Sequence, residues 1–142
     1  MESVMGPVKR EFLWVIGVVA LSFLMVWAFF GVLWTRSFDI NIYDTYLVVG
    51  GLYLFFLMIA PIGLLIYAVR ALMHGFQTAW VNLILSFFIF MTMLWTTWIL
   101  LWIGEGFSDP IGPWRSIVGC LYILNASLGI ALFYVGYRTG PK

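Results

Sequence analysis

Four uninterrupted apolar runs, each longer than twenty residues, occupy most of this 142-residue chain. They cover about 12–34, 46–69, 79–103 and 117–137, and none contains Asp, Glu, Lys, Arg or His. A helix needs about 20 apolar residues to cross the hydrocarbon core of a bilayer. A charge at its centre costs about 2.5–3.5 kcal/mol on the insertion scale. With no water to satisfy the backbone, each run must close its own hydrogen bonds as a helix. A β-barrel would alternate apolar and polar residues along its strands, and these runs do not. The chain is 64% hydrophobic and 9% charged, whereas a soluble domain carries about 25% charged residues. The expected fold is an all-α integral membrane protein, a four-transmembrane-helix bundle forming a single domain over residues 1–142. The first run is longer than the apolar core of a secretory signal and ends in Phe-Gly-Val-Leu-Trp, which is no small-residue cleavage site.

Charges confined to the ends and connections orient the chain. Lys9, Arg10, Arg70, Arg138 and Lys142 fall on one side of the expected membrane. Arg36 and Arg115 fall on the other, with Asp39, Asp44, Glu105 and Asp109. Five basic residues against two place both termini in the cytoplasm by the positive-inside rule. The chain is then a multi-pass protein of the cytoplasmic (inner) membrane; an organellar inner membrane would look the same. A net charge of +1 leaves no electrostatic footprint for nucleic acid.

Polar residues inside the spans mark helix faces that meet protein. In the third span Asn82, Ser86, Met93 and Thr97 share a face, with Thr92 and Thr96 beside it; in the fourth, Asn125 and Gly129 lie one turn apart, with Gly136 two turns on. Small and hydroxyl residues at this spacing mark helix–helix contact, and Asn82, Ser86, Thr97, Asn125 and Gly129 are the expected packing positions. A proton or solute pathway is the alternative reading of the stripe, but pathways are usually marked by ionisable groups. Pro61 is expected to kink the second span. Trp14, Trp34, Trp80, Trp102 and Trp114 sit near span ends, as an interfacial belt does. Trp95, Trp98 and Trp102 could form a ridge against a neighbouring protein or face lipid. Cys120, the one cysteine, is expected to pack as a small apolar residue. His74, the one histidine, complements the C-terminal dipole of the second helix. A metal or haem site needs several convergent ligands, and none is expected in this chain.

Two aspartates stand at the lip of the second run. Asp44 can cap the first free N–H groups of the following helix. Its surroundings read Asp39-Ile40-Asn41-Ile42-Tyr43-Asp44-Thr45-Tyr46-Leu47-Val48-Val49-Gly50-Gly51-Leu52-Tyr53-Leu54. This string resembles the pattern Asp-Ile-x-Leu-His-Asp-Thr-Tyr-Tyr-Val-Val-Ala-His-Phe-His-Tyr of subunit I in the cytochrome c oxidase branch of the haem–copper oxidases. That pattern lies on the outer side, where the ninth helix leads into the tenth. The resemblance implies an outer-face loop ordered by Asp39, Asp44, Thr45 and Tyr46. The departures are as informative. Tyr43 replaces the histidine that helps hold a magnesium ion, and Gly51 and Tyr53 stand where the family has axial haem ligands. Glycine offers no ligand and tyrosine an unusual one.

The function expected from these readings is a non-catalytic accessory transmembrane subunit of a respiratory complex. A haem–copper cytochrome c oxidase, or a supercomplex containing one, is the foremost host. Its partners would be other membrane subunits and lipids, and the chain by itself would be no enzyme and hold no cofactor. The alternatives are an accessory subunit of a copper monooxygenase or a quinol-oxidising complex, a small transporter, or an assembly factor. A carboxylate cluster at the outer face, able to hold Mg²⁺ or Ca²⁺, is the one route to intrinsic chemistry.

Overall fold

The computed structural model describes residues 2–30, 37–42, 45–106 and 113–139. Its order is helix α1 (Glu2–Phe30), strands β1 (Ser37–Ile42) and β2 (Thr45–Gly50), then helices α2 (Gly51–Met73), α3 (Ala79–Gly106) and α4 (Pro113–Thr139). All four helices are long and apolar enough to cross a membrane, over Val8–Phe29, Tyr53–Met73, Ala79–Leu101 and Arg115–Thr139.

The helices correct the expected boundaries in three places. The first begins far ahead of residue 12, so its span takes in Lys9, Arg10 and Glu11. Intrahelical hydrogen bonding does not stop where the apolar run stops, and the long side chains of Lys9 and Arg10 stay exposed near the helix end, from where they reach back to water. Arg70, Arg115 and Arg138 likewise belong to the helices, at the ends of the candidate spans. Finally, Tyr46–Gly50, expected as helix, form β2, and α2 starts at Gly51.

The two strands form an antiparallel pair, with Ser37 opposite Gly50, Asp39 opposite Val48, Asn41 opposite Tyr46 and Ile42 opposite Thr45. The all-α expectation is therefore refined: one hairpin accompanies the four helices. Its strands are dense in β-branched and aromatic residues (Ile40, Ile42, Thr45, Tyr46, Val48 and Val49), which favour an extended, paired backbone. Tyr43 and Asp44, and with Asp44 its expected capping role, lie outside the described residues.

The chain divides into two compact units, Met1–Ile66 and Tyr67–Lys142, with the division inside α2. In the first unit α1 buries Glu11, Val18, Ser22 and Val26, at spacings of seven, four and four residues. These place them on one face of a 3.6-residue helix. The Ser22 hydroxyl donates to the Val18 carbonyl at 2.7 Å, so the one neutral polar group on that face is satisfied within its own helix. Phe23 meets Phe55 edge to face, with ring centroids 6.2 Å apart. The helix α2 runs unbroken through Pro61.

In the second unit the buried stripe of α3 is Val81, Asn82, Leu85, Phe88, Ile89, Thr92 and Thr96. Steps of three and four residues hold this line on one face. Tyr67, fully buried, lies against Phe88 with centroids 5.6 Å apart, and the Arg70 guanidinium sits 5.4 Å from the Tyr67 ring centre. On α4 the buried apolar residues are Leu128 and Val135, while Tyr122, Ile123, Ile130, Phe133 and Tyr137 are exposed. Within an 18-residue apolar window of α4 only 6% of residues are buried, against 33% in the corresponding window of α2. Cys120 is exposed, which corrects its expected role in packing.

The turn from α2 to α3 is built by its own backbone. Phe76 N–H donates to the Ala71 carbonyl at 2.9 Å and Gly75 N–H to that of Leu72 at 3.1 Å. This is the double bond pattern that ends a helix on a left-handed residue, here Gly75 at φ 58°. The next residue, Phe76, is also left-handed, at φ 62°, a conformation that costs a residue with a Cβ about 1–2 kcal/mol. Two contacts hold it there. Asn82 Nδ2 donates to the Phe76 carbonyl at 2.7 Å, and the Phe76 ring meets Tyr134 of α4 edge to face at 5.5 Å. Phe76→Gly and Phe76→Ala both remove the ring contact, but only glycine relieves the backbone. The glycine variant is therefore expected to be the more stable by about 1 kcal/mol, read as the difference in unfolding midpoints in detergent. Equal midpoints would mean that no strain is stored.

Candidate functional site

The most developed polar construction among the described residues joins α3 to α4. Thr96 Oγ1 lies 2.6 Å from Asn125 Oδ1, and Asn125 Nδ2 lies 3.5 Å from Thr97 Oγ1. The Thr96 hydroxyl has one proton and two further acceptors, the carbonyls of Thr92 at 2.9 Å and Met93 at 3.1 Å. The 2.6 Å separation suits O–H···O better than N–H···O, so the hydroxyl donates to Asn125. Thr92 Oγ1 returns to the Phe88 carbonyl at 2.8 Å. Helices in lipid gain little from apolar contact, and such cross-helix bonds contribute to their association at about 0.6–2 kcal/mol. Asn125→Leu keeps the volume and removes both bonds. It is expected to lower stability by about 1 kcal/mol, and an unchanged unfolding midpoint in detergent would refute the pairing.

The expected packing residues have different fates. Asn125 and Thr97 are brought together, but Thr97 is exposed and the buried hydroxyls are Thr92 and Thr96. Asn82 is buried, yet it bonds the α2–α3 turn instead of α4. Ser86 is half-buried. Gly129 faces α4's neighbour at ordinary distance, since a Cβ there would lie 3.9 Å from the Met93 methyl. Gly136 would meet nothing within 4 Å. The two glycines thus do not mark a close backbone crossing. Trp95 and Trp98 meet edge to face at 5.9 Å, while the side chain of Trp102 lies outside the described residues.

Of the expected outer-loop residues, Asp39 lies in β1 opposite Val48, and Thr45 and Tyr46 lie in β2 opposite Ile42 and Asn41. Asp44 lies outside the described residues. The structure therefore carries three of the four on one hairpin. Among the described residues, no group of three His, Cys, Asp or Glu side chains is close enough to hold a metal ion.

One residue of functional interest was not singled out by sequence reasoning. Glu11 sits inside the first span and is buried, with Oε1 3.8 Å from Arg10 Nε. Its signal was present in the sequence, since an acid adjoining an apolar run continues the helix as readily as it ends it. Comparison with known protein families, with curated proteins and with solved structures yields no match to this chain.

Proposed function

We propose that the chain is a non-catalytic transmembrane subunit of a respiratory membrane complex, with a haem–copper cytochrome c oxidase, or a supercomplex containing one, as the host. It lies in the cytoplasmic membrane with both termini on the cytoplasmic side, following the distribution of basic residues. The observation that carries the reading is the string Asp39–Leu54, which keeps the acidic, Thr-Tyr framework of the oxidase pattern without its imidazoles. The hairpin adds support. It gathers Asp39, Thr45 and Tyr46 onto one element immediately before α2, suited to lie against a partner's outer face. Tyr53, at the position of a haem ligand in the pattern, is exposed near the start of α2. Large apolar side chains along α4 stand outward, a surface that other membrane helices or lipid can cover. Deleting the chain from its own organism tests the reading. Loss of assembled oxidase, followed by the haem absorbance of the membranes, is the expected result; unchanged oxidase content would end it.

One observation favours a second reading, that of a small transporter. An ionisable group within a membrane span is a functional candidate by default, and Glu11 is such a group. Solute- or proton-driven flux in liposomes that disappears in Glu11→Gln would establish it. Absence of flux for the native chain would remove it.

A further inference from the structure

A pocket of about 320 Å³ opens where the α2–α3 turn meets the end of α4, lined by Gly75, Phe76, Gln77, Ala79, Asn82, Arg138 and Thr139. Three features give it chemical character. Arg138 stands at its edge with Nε donated to the Tyr134 hydroxyl at 3.1 Å, which among the described residues leaves both Nη groups for a ligand. The 28-residue helix α3 begins here, and Asn82 N–H is the first to find a carbonyl, that of Thr78 at 3.1 Å. The N–H groups of the preceding turn, from Ala79 on, are therefore open to an anion. The third feature is independent of the helix end. The Asn82 side chain is 1% exposed, its amide N–H is committed to Phe76, and its Oδ1 has no hydrogen-bond partner. A buried acceptor left in that state costs about 1–3 kcal/mol, so the site lacks a donor.

The position narrows the ligand. The pocket lies at the very ends of two spans, where α3 enters at Ala79 and α4 leaves at Thr139. Trp80 and Tyr137 stand exposed beside it, as aromatic side chains do at the level of lipid headgroups. We propose that this pocket binds the headgroup of a glycerophospholipid, with the phosphate diester at Arg138 and the start of α3 and a headgroup O–H or N–H donor on Asn82 Oδ1. Glycerol and ethanolamine headgroups supply that donor and choline does not. A soluble phosphate ester shares the chemistry, and the lipid is distinguished from it by its anchorage. This inference is independent of the proposed host complex, because it concerns the chain alone.

The test uses the full chain in detergent micelles and native mass spectrometry. Phosphatidylethanolamine, phosphatidylglycerol and phosphatidylcholine of identical acyl chains are titrated, alongside glycerol 3-phosphate. Phosphatidylethanolamine is expected to be retained about fivefold more than phosphatidylcholine, the worth of one added hydrogen bond. Arg138→Gln is expected to lower retention of all three lipids by about tenfold, as loss of a charged hydrogen bond does. Asn82→Leu should erase the preference for ethanolamine over choline. Should that variant not fold, the lipid series on the native chain and Arg138→Gln still decide the matter. Equal retention of all three lipids, or retention unaffected by Arg138→Gln, would overturn the proposal. So would binding of glycerol 3-phosphate as tight as that of the lipids, which would assign the pocket to a soluble ester.

Discussion

Tyr67→Ala is expected to lower the stability of the protein by about 3–5 kcal/mol, the range for truncating a large buried aromatic. Tyr67 has no exposed surface, and its ring lies 5.6 Å from that of Phe88 at a 33° tilt. It also supports the buried Arg70 guanidinium at 5.4 Å. The cavity left behind cannot fill from lipid, which does not reach a residue enclosed by protein. Phe88→Ala removes the other side of the same contact, together with its approach to Phe87 at 5.7 Å. The two truncations should not add: the double variant is expected to fall short of their sum by about 0.5–1.5 kcal/mol, the coupling of an aromatic pair. Reversible denaturation in mixed micelles measures all three. Strict additivity would mean that the rings do not pack on each other in the folded protein.

Ser22→Leu is expected to lose about 1–3 kcal/mol by overfilling a closed site, although it makes the chain more apolar. Here the sign carries the information. Were position 22 to face lipid, leucine would be the better residue on any membrane scale, and the variant would be neutral or more stable. The fully buried Ser22 sits between Val18 and Val26, also buried, on one face of α1. Its hydroxyl is already satisfied by the Val18 carbonyl, so Ser22→Ala should change stability by less than about 1 kcal/mol. A destabilised leucine beside a near-neutral alanine marks an enclosed face. A leucine variant at least as stable as the native chain would turn α1 around.

The four spans were legible because a bilayer admits so few backbones: the absence of charge across 79–103 leaves helix as the only way to satisfy the peptide groups. The hairpin was not legible. Val48, Val49 and Gly50 continue the apolar run into Leu52 and beyond, so hydropathy alone assigns them to the helix. The sequence near the strands also carries no Asn-Gly or Asp-Gly pair of the kind that announces a hairpin. Strand preference in Ile40, Ile42, Thr45 and Tyr46 was the available signal, outweighed by the long apolar run on their C-terminal side. Helix ends were misread for a related reason. Lys9, Arg10 and Glu11 stop an apolar run without stopping a helix, which hid a buried carboxylate in plain view.

The polar stripe of α3 was half legible. Periodicity brought Asn82 and Thr97 onto one face, with Thr92 and Thr96 adjacent, but could not choose which of these neighbouring lines is enclosed. The structure chooses Thr92 and Thr96. Nor could spacing reveal that Asn82 serves a turn six residues earlier in the chain. That depends on Phe76 holding a left-handed backbone, which no pattern of hydropathy encodes. For the glycines of α4, small size permits close approach without requiring it, and α3 stays at ordinary contact distance from Gly129.

The mass and visible spectrum of the particle that carries this chain after solubilisation in a mild, lipid-preserving detergent test the account most directly. If the chain is an accessory subunit, a tagged copy should emerge in a particle many times its own 16.3 kDa, with haem absorbance and catalytic oxidase subunits in constant ratio to it. A particle containing this chain, lipid and detergent alone, free of haem under every mild condition, would contradict the account.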